Sequence, residues 1–269
     1  MSGNHLTYHD SKLYYQKHIG GEKTLLIFHG FGHTHQNMEV ISQYFLKKGY
    51  TVYSFDLFFH GNSTRTEATK PISIQELKQI IDLFLQKENI STFELLSYSL
   101  GSRFALTILG LYPKQVAAIY LIAPDAIQLS KWYRFSTSTW LGNKLFALVT
   151  QYPIFYQLLL SCAEKLKLAN PSAIRFARNQ MKTLAEREKI YHTWMSFRKL
   201  YQPFDQLSEQ INQHQIQFKL FLGKYDRMIP HKILIQKCQS IHQKHIYVYD
   251  TGHNQLIHLD QLIYDLLKE

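Results

Sequence analysis

Residues Ser97-Tyr98-Ser99-Leu100-Gly101 constrain this chain more than any other stretch. They follow an apolar run (Phe93, Leu95, Leu96) that predicts a buried strand. They precede Arg103-Phe104-Ala105-Leu106-Thr107-Ile108-Leu109, which predicts a helix. A serine flanked two residues away on each side by a small residue, at a strand-to-helix corner, has the pattern of a nucleophile elbow. The corner is tight enough to strain the serine and present its hydroxyl above the sheet. The small neighbours let strand and helix pass closely, and the helix N-terminus leaves N–H groups free nearby.

Three further motifs fall in a fixed order around this corner. His29-Gly30-Phe31-Gly32 follows the strand Thr24–Phe28, Gly223-Lys224-Tyr225-Asp226 follows Phe218–Leu222, and Gly252-His253 follows Ile246–Tyr249. A serine hydroxyl is a weak nucleophile and needs a base. His253 is the candidate, because imidazole titrates near the working pH. His258 competes with it but sits in the apolar pattern of the last helix. Asp226 is the candidate to orient the imidazole. Asp250 and Asp125 stay open as alternatives, and Asp226 could instead cap a helix near 231–241. His29 and His60 read as structural residues, and His33, His35 and Asp56 do not read as a metal cluster.

The order serine, acid, histidine resembles that of the α/β-hydrolase superfamily, over nearly the whole chain. The resemblance implies a serine hydrolase acting on a carboxylic ester or thioester, with an acyl-enzyme on Ser99, His253 as base and Asp226 as orienting acid. It implies an oxyanion site made by the backbone N–H groups of Phe31 and Leu100, and no cofactor or metal. Asp56-Leu57-Phe58-Phe59-His60-Gly61-Asn62-Ser63 resembles the family's Asp-x-x-Gly-His-Gly-x-Ser loop. Phe59 replaces its first glycine, so a different backbone path is expected there, and Ser97 replaces the usual first glycine of the elbow. Tyr98-Ser99-Leu100-Gly101 followed by Arg103 also resembles the menaquinone-pathway synthase of this fold. A lyase or carbon–carbon hydrolase with the same triad is therefore the alternative, beside a non-catalytic ligand receptor. A serine at the elbow argues against dehalogenase or epoxide-hydrolase chemistry, which places a carboxylate there.

Apolar strands alternating with helices predict an α/β fold: a mostly parallel, doubly wound sheet covered on both faces. An opening hairpin is expected near Leu6–Ile19. The alternation stops after Ala123-Pro124 and resumes at Ile216. The residues between are helical in pattern and rich in aromatics. The resemblance makes them a helical cap at 126–205, inserted in a core of 1–125 and 206–269. The uncharged run from Lys144 to Glu164 reads as two short buried helices meeting near Tyr152-Pro153, not a membrane span.

Charge is unevenly distributed. Of a net +10, the span 126–205 carries +8, from twelve Lys/Arg against four Asp/Glu, and it holds all three tryptophans, Trp132, Trp140 and Trp194. No nucleic-acid motif accompanies it. The expected partner is a small acyl substrate, with anionic substrates preferred. Trp132, Trp140, Arg134 and Arg178 are candidate contacts, with Arg175 and Arg198 also considered. Neither nucleic acid nor stable membrane insertion is expected. Met1-Ser2-Gly3-Asn4-His5 has no secretory pattern, and Cys162 and Cys238 stand alone without metal spacing. Both point to a cytoplasmic protein with reduced thiols.

Overall fold

The computed structural model describes residues 3–167 and 171–268. Along the chain run β1 (Gly3–Tyr8), β2 (Ser11–His18), β3 (Lys23–Phe28), α1 (Glu39–Lys47), β4 (Tyr50–Phe55), α2 (Ile74–Glu88), β5 (Phe93–Tyr98), α3 (Ser102–Leu111) and β6 (Val116–Ile122). Five helices follow: α4 (Lys131–Ser138), α5 (Trp140–Gln151), α6 (Pro153–Lys165), α7 (Pro171–Gln180) and α8 (Leu184–Phe197). The chain closes with α9 (Phe204–Gln213), β7 (Gln217–Gly223), α10 (His231–Lys237), β8 (Lys244–Tyr249) and α11 (Asp260–Leu267). It divides into two compact units, Met1–Thr66 with Ser73–Gln128 and Leu200–Glu269, and Glu67–Ile72 with Leu129–Lys199.

The first unit is an eight-stranded sheet in the order β1-β2-β4-β3-β5-β6-β7-β8. The opening hairpin pairs β1 with β2, and β2 runs antiparallel to β4; the other pairings are parallel. From β3 the chain moves to β4 on one side, then crosses back over β3 to β5 on the other. Right-handed crossovers in opposite directions leave helices on opposite faces. The order therefore reverses between β3 and β5, the position at which ligands of open α/β sheets commonly bind. Both the His29 turn and the Ser99 corner start there.

Side-chain alternation builds two cores. Leu25, Ile27, Val52, Leu96 and Tyr120 point to one face, where Ile41 and Phe45 of α1 and Leu262 and Leu266 of α11 cover them. On strand β3, Phe28 has the opposite parity to Ile27. Its ring stacks on Phe55 at 5.1 Å and on Phe104 of α3 at 5.9 Å, and Phe84 of α2 meets Phe55 edge-on at 5.0 Å. Helix α2 opens where Ser73 accepts a hydrogen bond from the Glu76 N–H, and ends at Asn89 in the left-handed conformation. Lys219, buried within β7, donates through Nζ to the carbonyls of Asp265, Leu266 and Lys268. It thereby caps the end of α11, which explains a lysine inside an apolar strand.

In the second unit, Tyr133, Phe146 and Trp194 pack together, with the Phe146 and Trp194 rings 5.6 Å apart and the Tyr133 hydroxyl donating to the Trp194 carbonyl. Arg187 is buried and donates to the carbonyls of Thr150, Met181 and Lys182. A capping box between Thr183 and Glu186 starts α8. The short segment Glu67–Ile72 joins this unit, with the Ile72 N–H bonded to the Ser196 carbonyl and Arg198 to the Thr69 carbonyl.

Two local expectations need correction. Helices α5 and α6 do meet at Tyr152, with a bend of 116° and Pro153 opening α6. They are not buried all round, however: α5 buries Gly142, Phe146, Val149 and Thr150 on one side, and Tyr156 is the one buried side chain among the described residues of α6. Apolar character implies burial only one way: much apolar surface stays outside in any fold. Residue His258 falls in a separate single turn, Leu256–His258, and α11 begins after it.

The two thiols differ sharply. Cys162 is exposed on α6, while Cys238 is fully buried and burial pushes its thiol up to about 12. Only a thiolate alkylates readily. Iodoacetamide at neutral pH is therefore expected to modify Cys162 and to spare Cys238 until the chain unfolds. Peptide mass spectrometry checks this, and comparable rates at both sites would mean that the end of α10 opens in the native state.

Candidate functional site

Strand β5 delivers Ser99 to the reversal point of the sheet, and the corner there is sterically crowded. Ser99 takes a left-handed φ of +49°, a conformation that costs a non-glycine residue roughly 1–2 kcal/mol. Two glycines permit it. A Cβ on Gly101 would lie 2.2 Å from the Phe28 carbonyl oxygen, and one on Gly30 would lie 2.7 Å from Cδ1 of Tyr98. Neither distance admits a side chain, so the α3 end and the turn after β3 can approach only because both residues are glycine.

The corner is braced from beneath. Ser102 Oγ donates to the Ser99 carbonyl at 2.7 Å and accepts from the Ala126 N–H at 3.1 Å. Arg103, buried, forms a two-pronged pair with Asp125 at 3.1 and 2.9 Å. Asp125 is thus committed to holding the start of α3 against the segment after β6. The Arg103–Asp125 pair escaped sequence reading, because the two residues are far apart in the chain and lie on different elements.

Adjacent parallel strands β7 and β8 bring the other two motifs together. The N–H groups of Lys224 and Tyr225 bond to the carbonyls of Tyr249 and Thr251, tying the two loops side by side. Asp226 is buried in the first loop, with Oδ1 accepting from the N–H groups of Met228 and Ile229, each at 2.9 Å. Its Oδ2 lies 2.5 Å from His253 Nδ1, and His253 Nε2 lies 3.0 Å from Ser99 Oγ. A carboxylate only accepts, so Nδ1 carries the proton and Nε2 presents a lone pair to the serine hydroxyl. Asp250 is elsewhere, largely exposed and paired with Lys224 at 2.8 Å.

Other residues frame this relay. The Tyr98 hydroxyl donates to the His253 carbonyl at 3.2 Å, and burial followed by the Asp226 charge raises its pKa. The ring of His33 stacks on Tyr98 at 5.4 Å. Burial, and then the neighbouring imidazoles of His258 and His253, hold His33 below the usual histidine range. Sequence reading weighed His33 only as a metal ligand and Tyr98 only as a position of the elbow motif, and neither residue type marks the stacking role seen here. His29 donates through Nδ1 to the Gly30 carbonyl and accepts from the Leu57 N–H, bridging the loops after β3 and β4. His60 Nδ1 bonds the Phe58 carbonyl at 3.0 Å, and its ring meets Phe31 edge-on at 5.2 Å.

The loop 56–63 wraps the Asp56 carboxylate. Oδ1 accepts from the N–H and Nδ1 of His35, and Oδ2 from the N–H of Asn62. Burial opposes the charge, but these hydrogen bonds hold Asp56 below the ordinary carboxylate range. Phe59 has a φ of +68°, the region that favours glycine, so here phenylalanine carries the strain that a glycine would avoid.

Phe31 lies in the turn closed by the His33 N–H to Gly30 carbonyl bond, and Leu100 lies in the single turn Ser99–Gly101. The remaining candidates belong to the second unit. Trp132 and Trp140 are exposed on α4 and α5, and Arg134 is exposed on α4. Arg178 is paired with Glu164, and Arg198 is bonded within its own unit, whereas Arg175 is exposed.

Ser97 is fully buried, and its hydroxyl has no hydrogen-bond partner among the described residues. An unsatisfied buried hydroxyl costs about 1–3 kcal/mol. Ser97→Ala is therefore expected to raise the thermal midpoint by roughly 2–4 °C or more. Calorimetry of the variant checks this, and a lowered midpoint would show that the hydroxyl is satisfied in solution.

A sequence model of the alpha/beta hydrolase fold matches residues 23–258. A putative esterase/lipase of Mycoplasma genitalium is 25% identical over 103 residues, which is 38% of this chain and 38% of that protein. The structure of a thermophilic esterase from Thermogutta terrifontis superposes with a TM-score of 0.71 at 14% identity, covering 99% of this chain and 97% of the esterase. A thioesterase domain from the curacin biosynthetic pathway superposes with a TM-score of 0.62 at 18% identity, covering 100% and 99%. With a sheet reversing at β3 and β5 and a match that omits only the opening hairpin and the final helix, the chain belongs to the alpha/beta hydrolase fold family.

Proposed function

We propose that this chain is a serine hydrolase that cleaves a carboxylic ester or thioester through an acyl-enzyme on Ser99. The observation that carries the reading is the unbroken relay from Asp226 through His253 to Ser99 Oγ, at 2.5 and 3.0 Å. As Oγ attacks the acyl carbonyl, its proton passes to His253 Nε2, and the carbonyl electron pair moves to oxygen. Collapse of this intermediate expels the alcohol or thiol, which takes the proton from Nε2. Water then attacks the acyl-serine with His253 again as base, and the acid leaves.

Asp226 keeps one imidazole tautomer and balances the imidazolium that forms in each step. Its second oxygen is held by two backbone N–H groups, so the carboxylate stays aimed while the charge develops. The N–H groups of Phe31 and Leu100 are the proposed donors to the oxyanion. Each such donor is worth on the order of 100- to 1000-fold in rate. The strained Ser99 backbone and the brace beneath it support the same reading, because a fixed nucleophile loses little freedom on attack.

Ser99→Ala and His253→Ala are each expected to lower kcat for a p-nitrophenyl ester by about 10,000-fold or more, and the double variant by little more. Losses that multiply would mean that one of the two is misassigned. Asp226→Asn is expected to lose on the order of 1000- to 10,000-fold with the fold intact, because the wrong tautomer is then favoured. Asp250→Asn should be close to wild type.

Fluorophosphonate labelling separates a hydrolase from a receptor of the same fold. The expected result is one adduct per chain, on Ser99. An acyl group found on Ser99 by mass spectrometry, after incubation with matched esters and thioesters, would then rank the two leaving groups. Failure of any acyl group to appear under turnover would instead favour a mechanism without an acyl-enzyme.

A further inference from the structure

We propose that the outward faces of α5 and α6 dock on an anionic lipid surface, lying in its headgroup layer without crossing it. Large apolar side chains that stay exposed are not spread evenly over the molecule. Of twenty-one such residues among the described ones, ten fall between Trp132 and Leu166. Single exposed apolar residues are ordinary, but a concentration of this kind marks an interaction surface.

The pattern on each helix is directional. On α5, Phe146, Val149 and Thr150 face inward, while Trp140 and Leu141 lie on the exposed arc, with Leu145 at its edge. On α6, Tyr156 faces inward. Ile154, Leu158 and Cys162 recur every four residues, with Leu166 continuing the row just beyond the helix, and Phe155 and Leu159 lie beside it. Apolar residues at this spacing form one stripe. Ile154 is 72% exposed and Leu158 is 59% exposed. The unit's own packing is served by the inward residues, so the stripe has no structural work inside it.

Charge decides which partner the stripe fits. Between Leu129 and Lys167 there are five basic residues and one acidic residue, Glu164, which is already paired with Arg178. Lys144 and Lys165 lie on the exposed arcs themselves, and Lys144 Nζ sits 4.1 Å from the centre of the Trp140 ring. A second copy of this face would bring like charges together. An anionic lipid surface attracts them, while Trp140 and Tyr152 have the amphipathic rings that settle at headgroup level. Neither helix alone is long enough for a span, and the two are bent by 116° where they meet. The helices have 12 and 13 residues, so each reaches only about 20 Å against a hydrocarbon core of about 30 Å. Among the described residues no single helix is long and apolar enough to cross a membrane.

The test mixes the full chain with vesicles of phosphatidylcholine alone, or of phosphatidylcholine with phosphatidylglycerol, and measures bound protein by sedimentation. Binding is expected with phosphatidylglycerol and at least about tenfold less without it, with a steep loss at high salt. I154S/L158S and K144E/K165E should each weaken binding about tenfold or more. Thermal melts report whether each variant is folded. The charge-reversal pair keeps every apolar residue of the stripe, so it carries the test even if the serine pair is destabilised. Vesicles should also slow modification of Cys162 by an uncharged maleimide several-fold. No binding to anionic vesicles overturns the proposal, as does equal binding by the folded variants. A solution dimer that I154S/L158S takes apart would assign the face to a second copy instead.

Discussion

Everything at the candidate site depends on how closely the backbone after β3 and the start of α3 approach each other. Gly101 lies against the Phe28 carbonyl and Gly30 lies against the Tyr98 ring, at separations that exclude any Cβ. Because those two contacts are so close, the chain turns from strand to helix within one residue, and that residue is Ser99 at φ +49°. A wider corner would relax the serine and let its hydroxyl wander. The strain is borne by the surrounding packing: a β5 buried at every position but Glu94, the stacked rings of Phe28, Phe55 and Phe104, and the Ser102 and Arg103–Asp125 braces.

The parallel sheet then does the assembling. Loops after β3, β5, β7 and β8 all leave from one edge, so residues far apart in sequence converge without any local interaction between them. The β7 and β8 loops are tied by backbone hydrogen bonds before either meets the serine. That order of support explains the contrast between two nearby acids. Asp226 is inside the tied loops, buried and held by N–H groups, whereas Asp250 points outward to Lys224. Burial and donors make a carboxylate a fixed part of a site, and a solvated ion pair does not.

The second unit follows a different logic. Its interior combines a few aromatic contacts with buried side chains such as Ile190 and Met195, and Arg187 satisfies three backbone carbonyls at once. Much of its apolar surface is left over, on α5 and α6 above all. A helix with one small buried face and a broad exposed apolar one is poorly explained by packing alone, and the basic residues interleaved there give that surface a chemical preference.

Much of this was legible in the sequence for a physical reason. Apolar strands of a doubly covered sheet, turn glycines and a small-residue corner are local signals, so the strands, the elbow and the order serine, acid, histidine could be read directly. The resemblance of those motifs to a family pattern supplied Asp226 over its rivals. Other features needed the tertiary structure, because they arise between residues distant in the chain. The pairing of Arg103 with Asp125, the stacking of His33 on Tyr98, and the capping of α11 by Lys219 are all of this kind. The same holds for the outward apolar face of α5 and α6. A sequence records that Ile154 and Leu158 are apolar, but which side of a helix finds a neighbour is decided only when the rest of the chain has packed.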